Sequence, residues 1–152
     1  MQIGVIGAGR CSPTLERIAE EIGREIAKSK AILLCGGLGG VMEAAARGAK
    51  LEGGLTIGIL PGNTPYEANP YIDVFIVTNL GQARNVVLVQ SSDVLIAVEG
   101  GYGTLSEIAI ALKLKKPVVA LNTWDVSKEI IQAKDAKEAV SYAIRSLPMI
   151  KE

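Results

Sequence analysis

The chain predicts a single doubly wound α/β domain, a mainly parallel sheet with helices on both faces. Short β-branched and aliphatic runs alternate with longer stretches of helical periodicity from Gln2 onward, and nearly all the short runs are continuously apolar, as strands buried on both faces must be. Two of these runs also lead into glycine clusters that open helices, Gly36-Gly37-Leu38-Gly39-Gly40 and Gly100-Gly101-Tyr102-Gly103. Two such loops from one parallel sheet converge on one crevice.

Taken in order, Gln2 to Ile6 read as the first strand and Gly7-Ala8-Gly9-Arg10-Cys11-Ser12 as the turn out of it. Ser12 followed by Pro13 is an N-cap and first-helical-residue pair. The helix it opens runs to Lys28, with Leu15, Ile18, Ile22 and Ile26 marking its core face. Ala31 to Leu34 form a strand that enters the first glycine cluster, and Val41 to Lys50 the helix beyond it. Leu55 to Leu60 make a third strand, which Pro61-Gly62-Asn63-Thr64-Pro65 cannot continue. The segment to Asn69 is long for a loop in a compact domain; it reads equally as a ligand cover, with Tyr66 or Asn69 in contact, or as a surface crossing. Asp73 to Val77 form a short strand, Gly81 to Gln90 a helix, Val94 to Val98 a strand, and Ile108 to Leu114 the helix after the second cluster. Pro117 to Leu121 is the last clear strand, and Asp135 to Leu147 an amphipathic helix with Ala136, Ala139, Val140, Ala143, Ile144 and Leu147 at helical spacing. No internal boundary divides residues 1–152, so one nucleotide-binding domain is expected.

Composition narrows the function. Sixteen basic and sixteen acidic residues give a formal charge of zero, so no global field recruits nucleic acid or an anionic membrane, and any anion must be bound locally. With no histidine, acid–base work falls to carboxylates, and no metal site is expected. Aromatic residues at 4% are too few for a platform on which several bases stack. There is no signal-peptide pattern and no apolar run long enough to span a bilayer, so a cytoplasmic protein is expected. Cys11 and Cys35 follow two strands and should lie at one sheet edge as small apolar residues; there is no CxxC and no zinc spacing.

The Gly7-Ala8-Gly9 turn invites comparison with the dinucleotide fingerprint GxGxxG. Ser12 holds the third glycine position, however, and the second strand ends in Leu34-Cys35-Gly36 without the acidic residue an NAD ribose needs. Gly7 and Gly9 stay as phosphate-loop candidates beside Gly36, Gly37, Gly39 and Gly40 of the first cluster. Gly100, Gly101, Gly103 and Thr104 are the strongest. A phosphate there would accept backbone N–H bonds, and the Thr104 hydroxyl, at the positive end of a helix dipole. Arg10, Glu43 and Glu99 are further possible contacts. Glu99 adds negative charge beside an anion loop, which suits hydrogen bonds from a sugar, base or pterin. Thr104-Leu105-Ser106-Glu107 also fits a capping box, in which Glu107 would fold back onto the N-cap amide. On either reading a first-turn carboxylate is favoured in its charged form.

The run Gly100-Gly101-Tyr102-Gly103-Thr104-Leu105-Ser106-Glu107 resembles the GGxGTxxE signature of the "lonely guy" phosphoribohydrolases, part of the SLOG superfamily with the molybdenum cofactor carriers and DNA-processing protein A. The first glycine cluster, running into Val41-Met42-Glu43, resembles their GGGxxGxM element, and Arg84-Asn85 lies where the hydrolases carry Arg-Lys. Two positions depart: Glu99 replaces a usual proline and Asn85 the lysine. The resemblance implies a Rossmann-like fold and a small phosphorylated ligand, AMP-like or molybdopterin-like. It implies either cleavage of a nucleoside 5′-monophosphate to base and ribose 5-phosphate, with Glu107 and Arg84 as the catalytic pair and no cofactor, or non-catalytic carriage of molybdenum cofactor. Glu107 would act as base or electrostatic stabiliser of oxocarbenium character. Lysine decarboxylation is not expected, since nothing marks a Schiff-base lysine. Two helices, Gly81 to Gln90 and the one after the signature, are apolar nearly all round. The second carries Leu105, Ile108, Ala109 and Leu112 on one face with Ile110, Ala111 and Leu114 elsewhere, which predicts a homo-oligomer built from dimers through these helices.

Overall fold

The computed structural model describes residues 1–148. Seven strands form one sheet in which every neighbouring pair is parallel: β1 (Gln2–Gly7), β2 (Ile32–Cys35), β3 (Thr56–Leu60), β4 (Val74–Val77), β5 (Val94–Val98), β6 (Val118–Leu121) and β7 (Ile131–Gln132), in the order β4-β3-β2-β1-β5-β6-β7. Five helices cover it: α1 (Pro13–Lys28), α2 (Val41–Leu51), α3 (Arg84–Ser91), α4 (Tyr102–Lys113) and α5 (Ala136–Arg145). Successive strand residues point to opposite faces. Ile3, Val5 and Leu33 therefore pack with Ile22, Ala45 and Val140 under α1, α2 and α5, while Ile6, Leu34 and Leu95 pack with Leu88, Val89, Ile108 and Ala111 under α3 and α4.

The chain winds outward from β1 to β4, then returns through α3 to place β5 on the other side of β1. This reversal leaves a crevice at the carboxyl ends of β1 and β5, where Gly7 pairs with Val98, and both glycine clusters open into it. The helices differ in how their first turns are satisfied. Ser12 caps α1 by accepting from Leu15 N at 3.2 Å, and Asp135 caps α5 by accepting from Glu138 N at 2.8 Å. By contrast α2 and α4, which start at the glycine clusters, have Gly40 and Gly101 at their N-caps and no side-chain cap.

Two sequence expectations are corrected, and a third reading, left open in the sequence, is narrowed. The helix after the signature begins at Tyr102, six residues before Ile108, so Thr104 lies inside it and Glu107 sits in its second turn. Neither the capping box nor the first-turn carboxylate exists. Its inward face carries Thr104, Glu107, Ile108 and Ala111, leaving Ala109 exposed, because that face looks partly into the crevice and polar side chains belong there. Second, β4 is an edge strand whose Val74, Phe75, Ile76 and Val77 are 41–48% exposed, although an uninterrupted apolar run predicts cover on both faces. Third, the loop residue Asn69 is buried and fixes the first glycine cluster: its side chain donates to Leu38 O at 2.9 Å and its amide donates to Gly37 O at 2.8 Å. Tyr66 stands 93% exposed. The short β7 gave no signal in the sequence. Both cysteines are free; Cys35 lies in the core, where burial pushes its thiol up to about 11, and Cys11 packs at the core's margin.

Candidate functional site

At the β1–β5 crevice lies a cavity of about 180 Å³. Of the residues singled out in the sequence, it gathers Gly7, Gly9, Gly36, Gly101, Gly103, Thr104, Arg84 and Glu107, and it adds Val5, Ile6, Met42, Gln82 and Asn85. Val5 and Ile6 had no signal beyond strand periodicity, whereas Met42 is the methionine of the GGGxxGxM-like element. Asn85 could have been found only through its place beside Arg84; its amide donates to Ser106 Oγ at 3.2 Å, tying α3 to α4.

The glycines divide by what they do. A Cβ at Gly9, Gly101 or Gly103 would meet no atom within 4 Å, so these three present bare backbone to the cavity. Others serve close approach: a Cβ at Gly36 would overlap the Arg84 guanidinium, one at Gly7 the carbonyl of Val98, and one at Gly40 the Ala8–Gly9 backbone. Gly37 is pressed against Leu60, Gly39 stands near Gly9 O, and Gly100, at φ +99°, holds the Thr104 side chain against itself. Gly37, Gly39, Gly40 and Gly100 thus shape the loops without lining this cavity. Nor do three of the suggested contacts reach it. Arg10 is exposed, Glu43 lines a separate cavity with Cys11, Glu16 and Arg47, and Glu99 lies across the Gly100 backbone in a third.

Arg84 and Glu107 dominate the electrostatics. Arg84 is only 8% exposed, yet its guanidinium makes no hydrogen bond among the described residues and its Nε is both buried and unpartnered. Burial lowers its hold on the proton, which the nearby Glu107 partly restores. Glu107 is 6% exposed and its carboxyl rises to about 7, chiefly through burial and against the pull of Arg84. A carboxyl at that value is half protonated near neutrality, so it can donate to an anion or accept from a sugar. The expectation of a firmly charged Glu107 is therefore overturned: it lies one turn further in, away from the α4 terminus and out of water. An unpaired buried cation is costly. Beside it the uncapped start of α4 presents N–H groups that no side chain caps, so positive charge and free backbone donors face the same cavity.

Fold and site define a Rossmann-like protein with a nucleotide- or cofactor-binding fold. The chain belongs to the SLOG cluster4 family, whose model matches residues 1–148. It is 51% identical over 146 residues to a protein of Archaeoglobus fulgidus, covering 96% of each chain, and 33% identical over 125 residues to the cytokinin riboside 5′-monophosphate phosphoribohydrolase of Mycobacterium tuberculosis, covering 74% of this chain and 67% of that one. Among solved structures, the molybdenum cofactor binding protein of Rippkaea orientalis superposes with TM-score 0.90 at 40% identity over 95% of both chains. The molybdenum cofactor carrier protein of Chlamydomonas reinhardtii does so with TM-score 0.86 at 40% identity, over 95% of this chain and 96% of that one.

Proposed function

We propose that this protein binds a phosphorylated, nucleotide-like cofactor across the β1–β5 crevice and carries it without transforming it, with molybdenum cofactor as the cargo. The observation that carries the reading is the buried, unpartnered Arg84 facing a cavity walled by bare glycine backbone, a combination that needs an anion. In this reading Arg84, the Gly101 and Gly103 backbone and the Thr104 hydroxyl hold the phosphate, with Glu107 protonated beside it. The likeness to the cofactor-binding proteins spans nearly the whole of both chains at 40% identity, whereas that to the phosphoribohydrolase is lower and partial. Asn85 and Glu99, which stand where the hydrolases have lysine and proline, also favour carriage.

Mass spectrometry of the small molecules released from the purified protein tests this reading. A phosphorylated pterin and no free base from nucleoside monophosphates is the expected result. Hydrolysis is kept as a second reading because Arg84 and Glu107 line one cavity, as a pair cleaving an N-glycosidic bond would have to. Release of adenine from AMP, lost in Glu107→Gln with AMP binding retained, would establish it and displace the carrier. We further infer a homo-oligomer, for reasons given in the Discussion.

A further inference from the structure

The crevice cavity, at about 180 Å³, falls below the roughly 300–1,000 Å³ usual for a small-molecule site, so a nucleotide-like ligand must extend beyond it. Two neighbouring cavities could receive the rest. The one lined by Cys11, Glu16, Glu43 and Arg47 has no aromatic wall, and its arginine is already held by Glu16 at 2.6 Å and Glu20 at 2.7 Å. The other, about 610 Å³, lies across the Gly100–Gly101 backbone between the ends of β5 and β6, lined by Glu99, Asn122, Trp124 and Asp125.

Trp124 gives this cavity a flat aromatic wall, extended outside the cavity lining by Tyr102. Trp124 stacks on Tyr102 with ring centroids 6.0 Å apart and an interplanar angle of 26°. Tyr102 is 83% exposed, an unusual place for a tyrosine already stacked on one side. The pair is fixed to the phosphate loop: the Trp124 indole N–H donates to Gly101 O at 3.0 Å, and the Thr123 hydroxyl donates to Glu99 O. Glu99, Gly100 and Asn122 take left-handed backbone conformations at φ +47°, +99° and +50°. Such a conformation is uncommon for Glu but well tolerated by Gly and Asn, and the three at adjacent strand ends turn both loops around this rim. The Glu99 carboxylate accepts no hydrogen bond from the protein among the described residues.

We propose that the Tyr102–Trp124 shelf with Glu99 is the subsite for the ligand's heterocycle, and that it selects rings carrying the 2-amino-4-oxo-pyrimidine edge, as guanine and pterin do. A planar ring stacks on the aromatic surface. An ionised carboxylate only accepts, so it pairs with the adjacent ring N–H and amino group of that edge, whereas adenine presents a ring acceptor that it repels. The subsite rests on the phosphate-binding reading above and adds what that phosphate is attached to.

Trp124 is the chain's only tryptophan, so its emission reports the shelf directly. GMP, AMP, neopterin monophosphate and ribose 5-phosphate are titrated into the whole chain by calorimetry and fluorescence. GMP and the pterin phosphate should quench Trp124 and bind at least tenfold tighter than AMP, the tighter of the two naming the ring class. Ribose 5-phosphate should bind without quenching. Glu99→Gln should bring GMP down to the AMP level, and Tyr102→Ala, at an exposed position, should weaken GMP about tenfold more than it weakens ribose 5-phosphate. Equal affinities for GMP, AMP and ribose 5-phosphate with unchanged emission would overturn the subsite and leave phosphate binding standing. If GMP quenches while ribose 5-phosphate fails to bind, the phosphate reading falls and the subsite survives. No binding by any of the four overturns both.

Discussion

At Gly101 the main chain has φ −101° and a Cβ would meet nothing within 4 Å, so a valine fits the fold yet projects into the cavity. Gly101→Val should melt within a few degrees of the parent chain and lose at least tenfold in affinity for ribose 5-phosphate, corresponding to about 1.4 kcal/mol or more. Unchanged affinity in a folded variant would remove the phosphate from this loop. Glu107 makes a prediction of a different kind. Its carboxyl titrates near 7 in the folded chain against an ordinary 4.5. Between those values the folded state holds a proton that the unfolded state has released, so stability must fall as pH rises through this window. Thermal melts of the ligand-free protein should therefore drop between pH 5 and 8. Glu107→Gln should flatten that slope; an identical slope in the variant would mean that Glu107 is charged throughout. A phosphate beside Glu107 favours its protonated form, so affinity for ribose 5-phosphate should also decline above pH 7 in the parent and not in the variant.

Elements were legible where local chemistry decides them. Ser12-Pro13 announces the start of α1, and the β-branched runs mark β1, β5 and β6 within a residue or so. What sequence could not resolve is set by tertiary context. α4 starts at Tyr102 although Gly103 in its first turn lowers helix propensity, and its polar inward face misleads a search for an apolar stripe. β7 is two residues long and exists only by pairing with β6. The glycine loops and Arg84 were visible through their motif, while the burial that leaves Arg84 unpaired and lifts Glu107 depends on α3 packing against α4. A further pair was read only as helix interior: Gly23 in α1 and Gly48 in α2, where a Cβ would overlap Ala45 O and Glu20 O respectively. These glycines let two helix backbones approach closely, and their intrinsic helix cost of about 1 kcal/mol is the lesser effect. Gly48→Ala, which raises helix propensity, should destabilise the chain by roughly 2 kcal/mol or more in urea unfolding, since the backbones must separate. A stabilised variant would show that α1 and α2 are less tightly apposed.

The whole molecule leaves apolar surface that a single chain does not cover. α3 and α4 bury Leu88, Val89, Ile108 and Ala111 against the sheet, yet Val86 on α3 remains 48% exposed and Leu114 just past α4 is 41% exposed. At the sheet edge beside β3, the four residues of β4 are 41–48% exposed and Leu80, in the turn that leads to α3, is 50% exposed. An edge strand without a charge, proline or bulge is the feature that soluble monomers ordinarily avoid, because its unpaired side recruits further strands. The apolar character of α3 and α4 predicts association through the helices; the exposure of β4 extends the expected interface toward that edge. A closed two-fold assembly would bury both surfaces at once. Light scattering at micromolar concentration should then give a multiple of 16.0 kDa. Ile76→Lys and Val86→Glu, each placing a charge on exposed apolar surface, should shift the protein toward the monomer while leaving its fold intact by circular dichroism. A single-chain mass for the parent protein would refute the assembly. An oligomer indifferent to both substitutions would move the interface to another face.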